Sequence, residues 1–165
     1  MAGKVVIVAS GLVCAAGTLD VCWQTLIAGK SALSPYALPG LSCHVGRITD
    51  IEADIGSQQR LGTLIRRGLS QLTPAADLAN THLLVATTKG AADEPLEEYG
   101  QAGHGFAWQV AEMIAAELGA IGSRSTVNAA CASGTVALIQ ASQMIDRGEA
   151  SQVLVVGIDI LSRFV

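Results

Sequence analysis

Apolar residues fall along this chain in blocks whose period changes from one block to the next. Val5–Ala9 (VVIVA) is an unbroken, largely β-branched run, the pattern of a strand covered on both faces. Gly11 and Gly17 flank the turn that follows, and Thr18 stands at the start of a helix. Leu19, Cys22, Trp23, Leu26 and Ile27 trace one face of that helix, and Gly29 supplies its stop. From residue 31 to 58 the pattern is cut by Pro35, Pro39, Gly40, Gly46 and Gly56, which predicts a surface excursion with short strand pieces. Helical spacing returns over Arg60–Leu72, with Leu61, Leu64, Ile65, Leu69 and Leu72 on one side and Pro74 just beyond.

The second half repeats the alternation. His82–Thr87 (HLLVAT) reads as a second buried strand, running into Thr88, Lys89, Gly90 and an acidic loop to Gly103. Phe106, Val110, Met113, Ile114 and Leu118 mark the next helix, with Glu117 a lone polar residue on the stripe and Gly119 and Gly122 closing it. Ser125–Ala129 is a short strand. Beyond it Val136, Ala137, Leu138, Ile139, Ala141, Met144 and Ile145 leave almost no polar face, which predicts a buried helix. That helix carries Arg147 in its last turn and ends at Gly148. Gln152–Ile158 (QVLVVGI) is a third buried strand ending at Asp159, and the chain stops at Phe164–Val165. Strands alternating with helices predict an α/β protein with a mainly parallel sheet, and a helix apolar all round implies sheet on both sides of it. There is no repeat, low-complexity tract or inter-domain linker, so residues 1–165 read as one domain.

Composition sharpens this picture. Half the residues are apolar and 15% are charged, a balance that asks for strands buried on both faces or a large partner surface. Aromatics make up 4% and glycines number 18, so sheet and helix pack through small residues. The net charge of -4 excludes a nucleic-acid partner, which needs a clustered basic face. The one basic pair, Arg66–Arg67, reads as the solvated edge of a helix. No stretch approaches the roughly 20 apolar residues of a membrane span. Lys4 and the run behind it imitate a signal peptide only loosely, because the run breaks at Ser10–Gly11; the expected location is cytoplasmic.

The candidate chemistry lies at Cys131. A thiol between a strand and a helix that opens with Ala132, Ser133 and Gly134 meets the free N–H groups and positive end of the helix. There the thiolate is favoured, and neighbouring amides can hold a developing oxyanion. The geometry is that of a nucleophile elbow without its G-x-S-x-G pattern. Free cysteine is also a common core residue, and Cys14, Cys22 and Cys43 read that way, as reduced thiols. No pair of them has CxxC spacing, and no Cys/His set has the spacing of a zinc site, so no metal is expected.

The segment STVNAACASG (125–134), the small-residue helix behind it, RGEA (147–150) and VLVVGID (153–159) closely resemble the active-site region of β-ketoacyl synthases. VVIVASGLVCAAGT, CWQTLIAGKSAL, VATTKG and Phe106–Gly122 fall in the family's order, so the resemblance spans nearly the whole chain, most weakly over 31–80. It implies a thiolase-like layered sandwich (α/β/α/β/α), of which this chain would be an incomplete amino-terminal half. It also implies decarboxylative Claisen condensation in fatty-acid or polyketide-type synthesis. Cys131 would be both the acyl-accepting nucleophile and a backbone donor to the oxyanion. No cofactor is implied. The implied partners are acyl carrier protein or CoA thioesters and a second subunit, in a homodimer or a ketosynthase heterodimer, paired across the strand before Cys131. The family's two histidines, its lysine and its second oxyanion amide match nothing here. His44, His82 and His104 read as loop or strand-edge residues, and Lys89 is not that lysine. The chain alone is therefore expected to be inactive in condensation. The rival readings are another thiolase-superfamily acyltransferase, a non-catalytic partner subunit and, last, a cysteine hydrolase of the α/β-hydrolase type.

Overall fold

The computed structural model describes residues 4–38, 41–53, 57–72, 78–90, 106–119 and 122–161. The turn residues Pro39, Gly40, Gly56 and Pro74, the acidic loop with His104, and Phe164–Val165 lie outside the described residues. In chain order the elements are β1 (Val13–Cys14), β2 (Gly17–Thr18), α1 (Leu19–Ile27), β3 (Ser34–Leu38), β4 (Leu41–Val45), α2 (Gln58–Ser70), a single 3-10 turn (Leu78–Asn80), β5 (His82–Ala86), α3 (Ala107–Leu118), β6 (Arg124–Val127), α4 (Ser133–Asp146) and β7 (Val153–Gly157).

The core is built on one short strand. β5 is flanked by β6 and β7, both parallel to it, with Val85 opposite Thr126 on one side and Val156 on the other. Its side chains alternate between two covered faces, which is why HLLVA shows no polar alternation. Leu83 and Val85 face Leu61 and Ile65 of α2 and Val110, Ala111 and Ile114 of α3; Leu84 and Ala86 face Ala137 and Ala141 of α4. Three layers result, with α2 and α3 on one side of a parallel sheet and α4 on the other. The mainly parallel α/β architecture expected from the sequence is what forms.

Two buried-strand expectations meet different fates. β7 forms as expected, although its side chains are only partly covered. Val5–Ala9 forms no strand: Val6, Ile7 and Val8 are 67%, 78% and 83% exposed, and the segment has no regular structure. A strand needs a neighbouring edge to satisfy its backbone groups, and among the described residues neither β6 nor β7 takes this run as a partner. The fully buried helix is likewise corrected. α4 buries Ser133, Ala137 and Ala141, while Leu138 and Ile139 are each 52% exposed, because among the described residues only one face meets a sheet. The apolar face of α1 is also uncovered, with no buried residue in the helix.

Local signals otherwise set the helix ends. Ser57 caps α2 by accepting from the Arg60 amide, and Gly29, Gly119 and Gly148 take positive φ just past the ends of α1, α3 and α4. The excursion over 31–58 contains an antiparallel hairpin, β3–β4. Arg60 anchors the segment after it. Its guanidinium, on a residue only 2% exposed, donates to the carbonyls of Ile48, Ile51 and Ala53. Arg66 and Arg67 are each ion-paired, to Glu117 and Asp50 at 2.8 Å, and Glu117 thereby finds its reason for lying on α3.

His82 opens β5 with its ring between the hydroxyls of Ser123 and Ser125, bonded to both. Partial burial pushes its imidazole below the ordinary value, so the fold favours the neutral ring. The unfolded chain takes up that proton near pH 6.5. Stability contributed by neutral His82 is therefore present above that pH and is lost as pH falls through it. The urea midpoint should fall between about pH 7.5 and about pH 5.5, and the fall should be smaller in His82→Gln. Equal falls in both proteins would remove His82 from the account.

Candidate functional site around Cys131

Parallel α/β sheets place ligands beyond the carboxyl ends of their strands, and here those ends are tied together by side chains. The Asp159 carboxylate, just past β7, accepts from the Thr87 hydroxyl (3.1 Å), the Thr88 amide (2.9 Å) and the Thr88 hydroxyl (2.8 Å), all just past β5. Thr87 Oγ1 in turn accepts from the Gly90 amide at 3.0 Å. Asn128, just past β6, donates from Nδ2 to the Thr88 carbonyl at 2.9 Å. The three strand ends thus form one hydrogen-bonded rim.

The turn that presents Cys131 rises from this rim. Ala130 has a φ of 49°, the left-handed conformation that a side chain normally avoids. Such backbone costs on the order of 1–2 kcal/mol and persists only where its surroundings hold it. Ser133 does the holding. Its buried hydroxyl accepts from the Ala129 amide at 2.9 Å and donates to the Ala130 carbonyl at 2.6 Å. The Ala132 and Ser133 amides close back onto the carbonyls of Ala129 and Ala130, and α4 starts at once.

Cys131 is left exposed at the tip of this turn, at the amino end of α4. Gly134 and Thr135 lie in the first turn of α4, where N–H groups have no preceding helical turn to bond, and the Cys131 N–H lies just before them. A thiol, open amides and the positive end of a 14-residue helix therefore converge. This arrangement can attack a carbonyl carbon and hold the oxyanion that forms.

Residues 126–165 match the family model of 3-oxoacyl-[acyl-carrier-protein (ACP)] synthase III. The matched stretch runs from β6 through the Cys131 turn, α4 and β7, which are the elements just described. No curated protein matches the chain. The match supports the thiolase-like condensing-enzyme family, and a three-stranded parallel sheet flanked by helices is consistent with part of that α/β fold.

The other cysteines and histidines do not gather at Cys131. Cys43 contacts the Tyr36 carbonyl within the β3–β4 hairpin, Cys14 lies on β1 and Cys22 on α1, and His44 is exposed on β4. Among the described residues no group of three His, Cys, Asp or Glu could hold a metal ion, and no helix is long and apolar enough to cross a membrane. Sequence reasoning gives Asp159 and Asn128 no part in the site, offers Thr87 and Thr88 only as possible pocket lining, and reads Ser133 only as a small residue leaving room beside Cys131. The available signal was positional: polar residues clustered just beyond three apolar strands of one parallel sheet.

Asp159→Ala should unpair the Thr88 amide and the buried Thr87 hydroxyl. We expect a loss of about 1–3 kcal/mol in urea unfolding, with faster hydrogen exchange at Thr88. Asp159→Asn keeps an acceptor oxygen and should lose less. Equal behaviour of both variants with wild type would mean that the rim does not hold the strand ends.

Proposed function

We propose that Cys131 accepts an acyl group from a carrier-protein or CoA thioester, and that this acyl-enzyme is the first intermediate of a decarboxylative condensation. The observation that carries the reading is the exposed thiol on a turn held by Ser133, at the amino end of α4. The thiolate attacks the thioester carbonyl, and the oxyanion forms within reach of the Cys131 N–H. Collapse releases the carrier thiol, which takes up a proton, and leaves the acyl group on sulfur. A malonyl-type thioester then loses carbon dioxide. Its carbanion attacks the acyl carbonyl, giving a 3-oxoacyl thioester and restoring the Cys131 thiolate. Neither metal nor organic cofactor takes part, because the thioester carbonyl stabilises the carbanion.

We set this reaction in fatty-acid or polyketide-type synthesis in the cytoplasm; the match over 126–165 to a 3-oxoacyl-[acyl-carrier-protein] synthase model supports chemistry of the fatty-acid type. β6 is an edge strand, with β5 on one side and no pairing on the other among the described residues. That free edge supports a second subunit, identical or homologous, pairing there.

The reading divides the reaction, since decarboxylation needs histidine and lysine groups that match nothing in this chain. Incubated with an acyl thioester and a malonyl thioester, the chain should gain an acyl adduct by intact mass and release no 3-oxoacyl product. Product from the chain alone would overturn this division. No adduct, with Cys131 still open to iodoacetamide, would favour a non-catalytic partner subunit.

A further inference from the structure

The turn that carries Cys131 also fixes the direction of the Cys131 N–H. The Ala130 carbonyl and the Cys131 N–H belong to one peptide unit, which is planar and trans, so they point in opposite directions. That carbonyl accepts from both donors of Ser133, the hydroxyl at 2.6 Å and the backbone N–H at 3.1 Å. Ser133 is buried, so the carbonyl is turned into the fold. The Cys131 N–H is thereby turned outward, and the thiol beside it is exposed. The same hydroxyl accepts from the Ala129 amide at 2.9 Å, which holds the backbone on both sides of Ala130. Ala130 needs that hold, because its φ of 49° is disfavoured for any residue with a side chain. A flipped peptide unit would relieve Ala130 and aim the carbonyl oxygen, a partial negative charge, at the place where an oxyanion forms. Ser133 does not itself donate to that oxyanion, since its hydroxyl proton and its N–H are both given to Ala130.

We propose that Ser133 is a positioning residue for acyl transfer, gripping the Ala130 carbonyl and so keeping the Cys131 N–H aimed at the oxyanion. The inference rests on the acyl-enzyme reading above and assigns the residue that makes the turn competent for it. Attack by the thiolate forms the S–C bond and moves the carbonyl π electrons onto oxygen, where the aimed N–H stabilises them. Collapse breaks the bond to the carrier sulfur, which leaves with that electron pair and takes up a proton. Alkylation by iodoacetamide differs: sulfur displaces iodide at a saturated carbon, and no oxyanion forms. Two reactions of one sulfur should therefore part when Ser133 is changed.

The experiment measures both rates in the full chain, acylation by an acyl-CoA and alkylation by iodoacetamide, using peptide mass spectrometry. Trypsin cleaves after Arg124 and Arg147, so Cys131 is the one cysteine on its peptide. In Ser133→Ala, acylation should fall by about tenfold, less than the roughly hundredfold for outright loss of an oxyanion donor, because the backbone N–H still holds the carbonyl. Alkylation should stay near the wild-type rate. Adding Ala130→Gly to Ser133→Ala should restore acylation, since glycine takes the left-handed conformation without strain. A readout that needs no variant to fold is hydrogen exchange in the unchanged chain, which should be slow at the Ala129 amide and fast at the Cys131 amide. Equal loss of both rates in Ser133→Ala, no loss of acylation, no recovery with Ala130→Gly, or a protected Cys131 amide would each overturn the proposal. A wild-type chain that is alkylated at Cys131 but never acylated would instead remove the acyl-enzyme reading, and the proposal with it.

Discussion

Cys131→Ala should abolish acyl capture and leave the fold standing. The side chain is exposed, and its sulfur makes no hydrogen bond among the described residues. The contacts that shape the turn belong to Ala129, Ala130 and Ser133. Substitutions at such surface positions usually change stability by less than about 0.5 kcal/mol. Urea unfolding should therefore give nearly the wild-type midpoint, while the acyl adduct disappears from the intact mass. An unchanged adduct would place the acceptor elsewhere, and a collapsed midpoint would assign Cys131 a structural role. This separation of chemistry from packing follows from where the thiol sits, at the tip of the turn and outside both core clusters.

Arg60→Met should have the largest effect on stability. Methionine keeps an unbranched stem to pack in the same space but donates nothing. Three carbonyls, those of Ile48, Ile51 and Ala53, lose their charged donor together. Hydrogen bonds to charged groups contribute about 1.5–3 kcal/mol each, and water reaching the half-exposed carbonyls returns part of that. A net loss of about 2–4 kcal/mol is expected from urea unfolding. Burial already holds the Arg60 guanidinium below its ordinary value, with neighbouring Arg47 adding to this, so the carbonyls are what make its charge tolerable. Arg67→Met is the contrast. It removes an ion pair with Asp50 in solvent and should be close to neutral. Equal losses in the two variants would show that the carbonyl contacts of Arg60 do not anchor the segment over 48–53.

What the sequence disclosed and what it hid divide along physical lines. β5, α2 and α3 were legible because each pattern was complete in itself: apolar on successive residues for a strand between two layers, and every third or fourth residue for helices on one face. Their contacts in the core agree with that reading, Leu83 and Val85 on one side and Leu84 and Ala86 on the other. Val5–Ala9 and α4 misled for one shared reason. Hydropathy reports that a residue favours burial, not whether a covering layer is at hand. Among the described residues Ile7 and Val8 have no strand beside them and Leu138 and Ile139 have no second sheet above them, so all four are exposed. The site was half legible. Cys131 between strand and helix could be read locally, since small residues and a helix start are sequence features. The rim of Asp159, Thr87, Thr88 and Asn128 could not, because it joins residues up to 72 positions apart. Only the parallel pairing of β5 with β6 and β7 brings their ends level. The left-handed turn at Ala130 was hidden as well, since alanine gives no hint of positive φ and the restraint comes from Ser133.

The most direct test is to map the acyl group after the chain has met an acyl-CoA or acyl carrier thioester. Peptides would be read by mass spectrometry with and without hydroxylamine, which cleaves thioesters, and Cys14, Cys22 and Cys43 serve as internal controls. The account predicts a hydroxylamine-labile acyl group on Cys131 and none on the other three. Acyl label spread over all four cysteines, or absent from a Cys131 that iodoacetamide still alkylates, would contradict it.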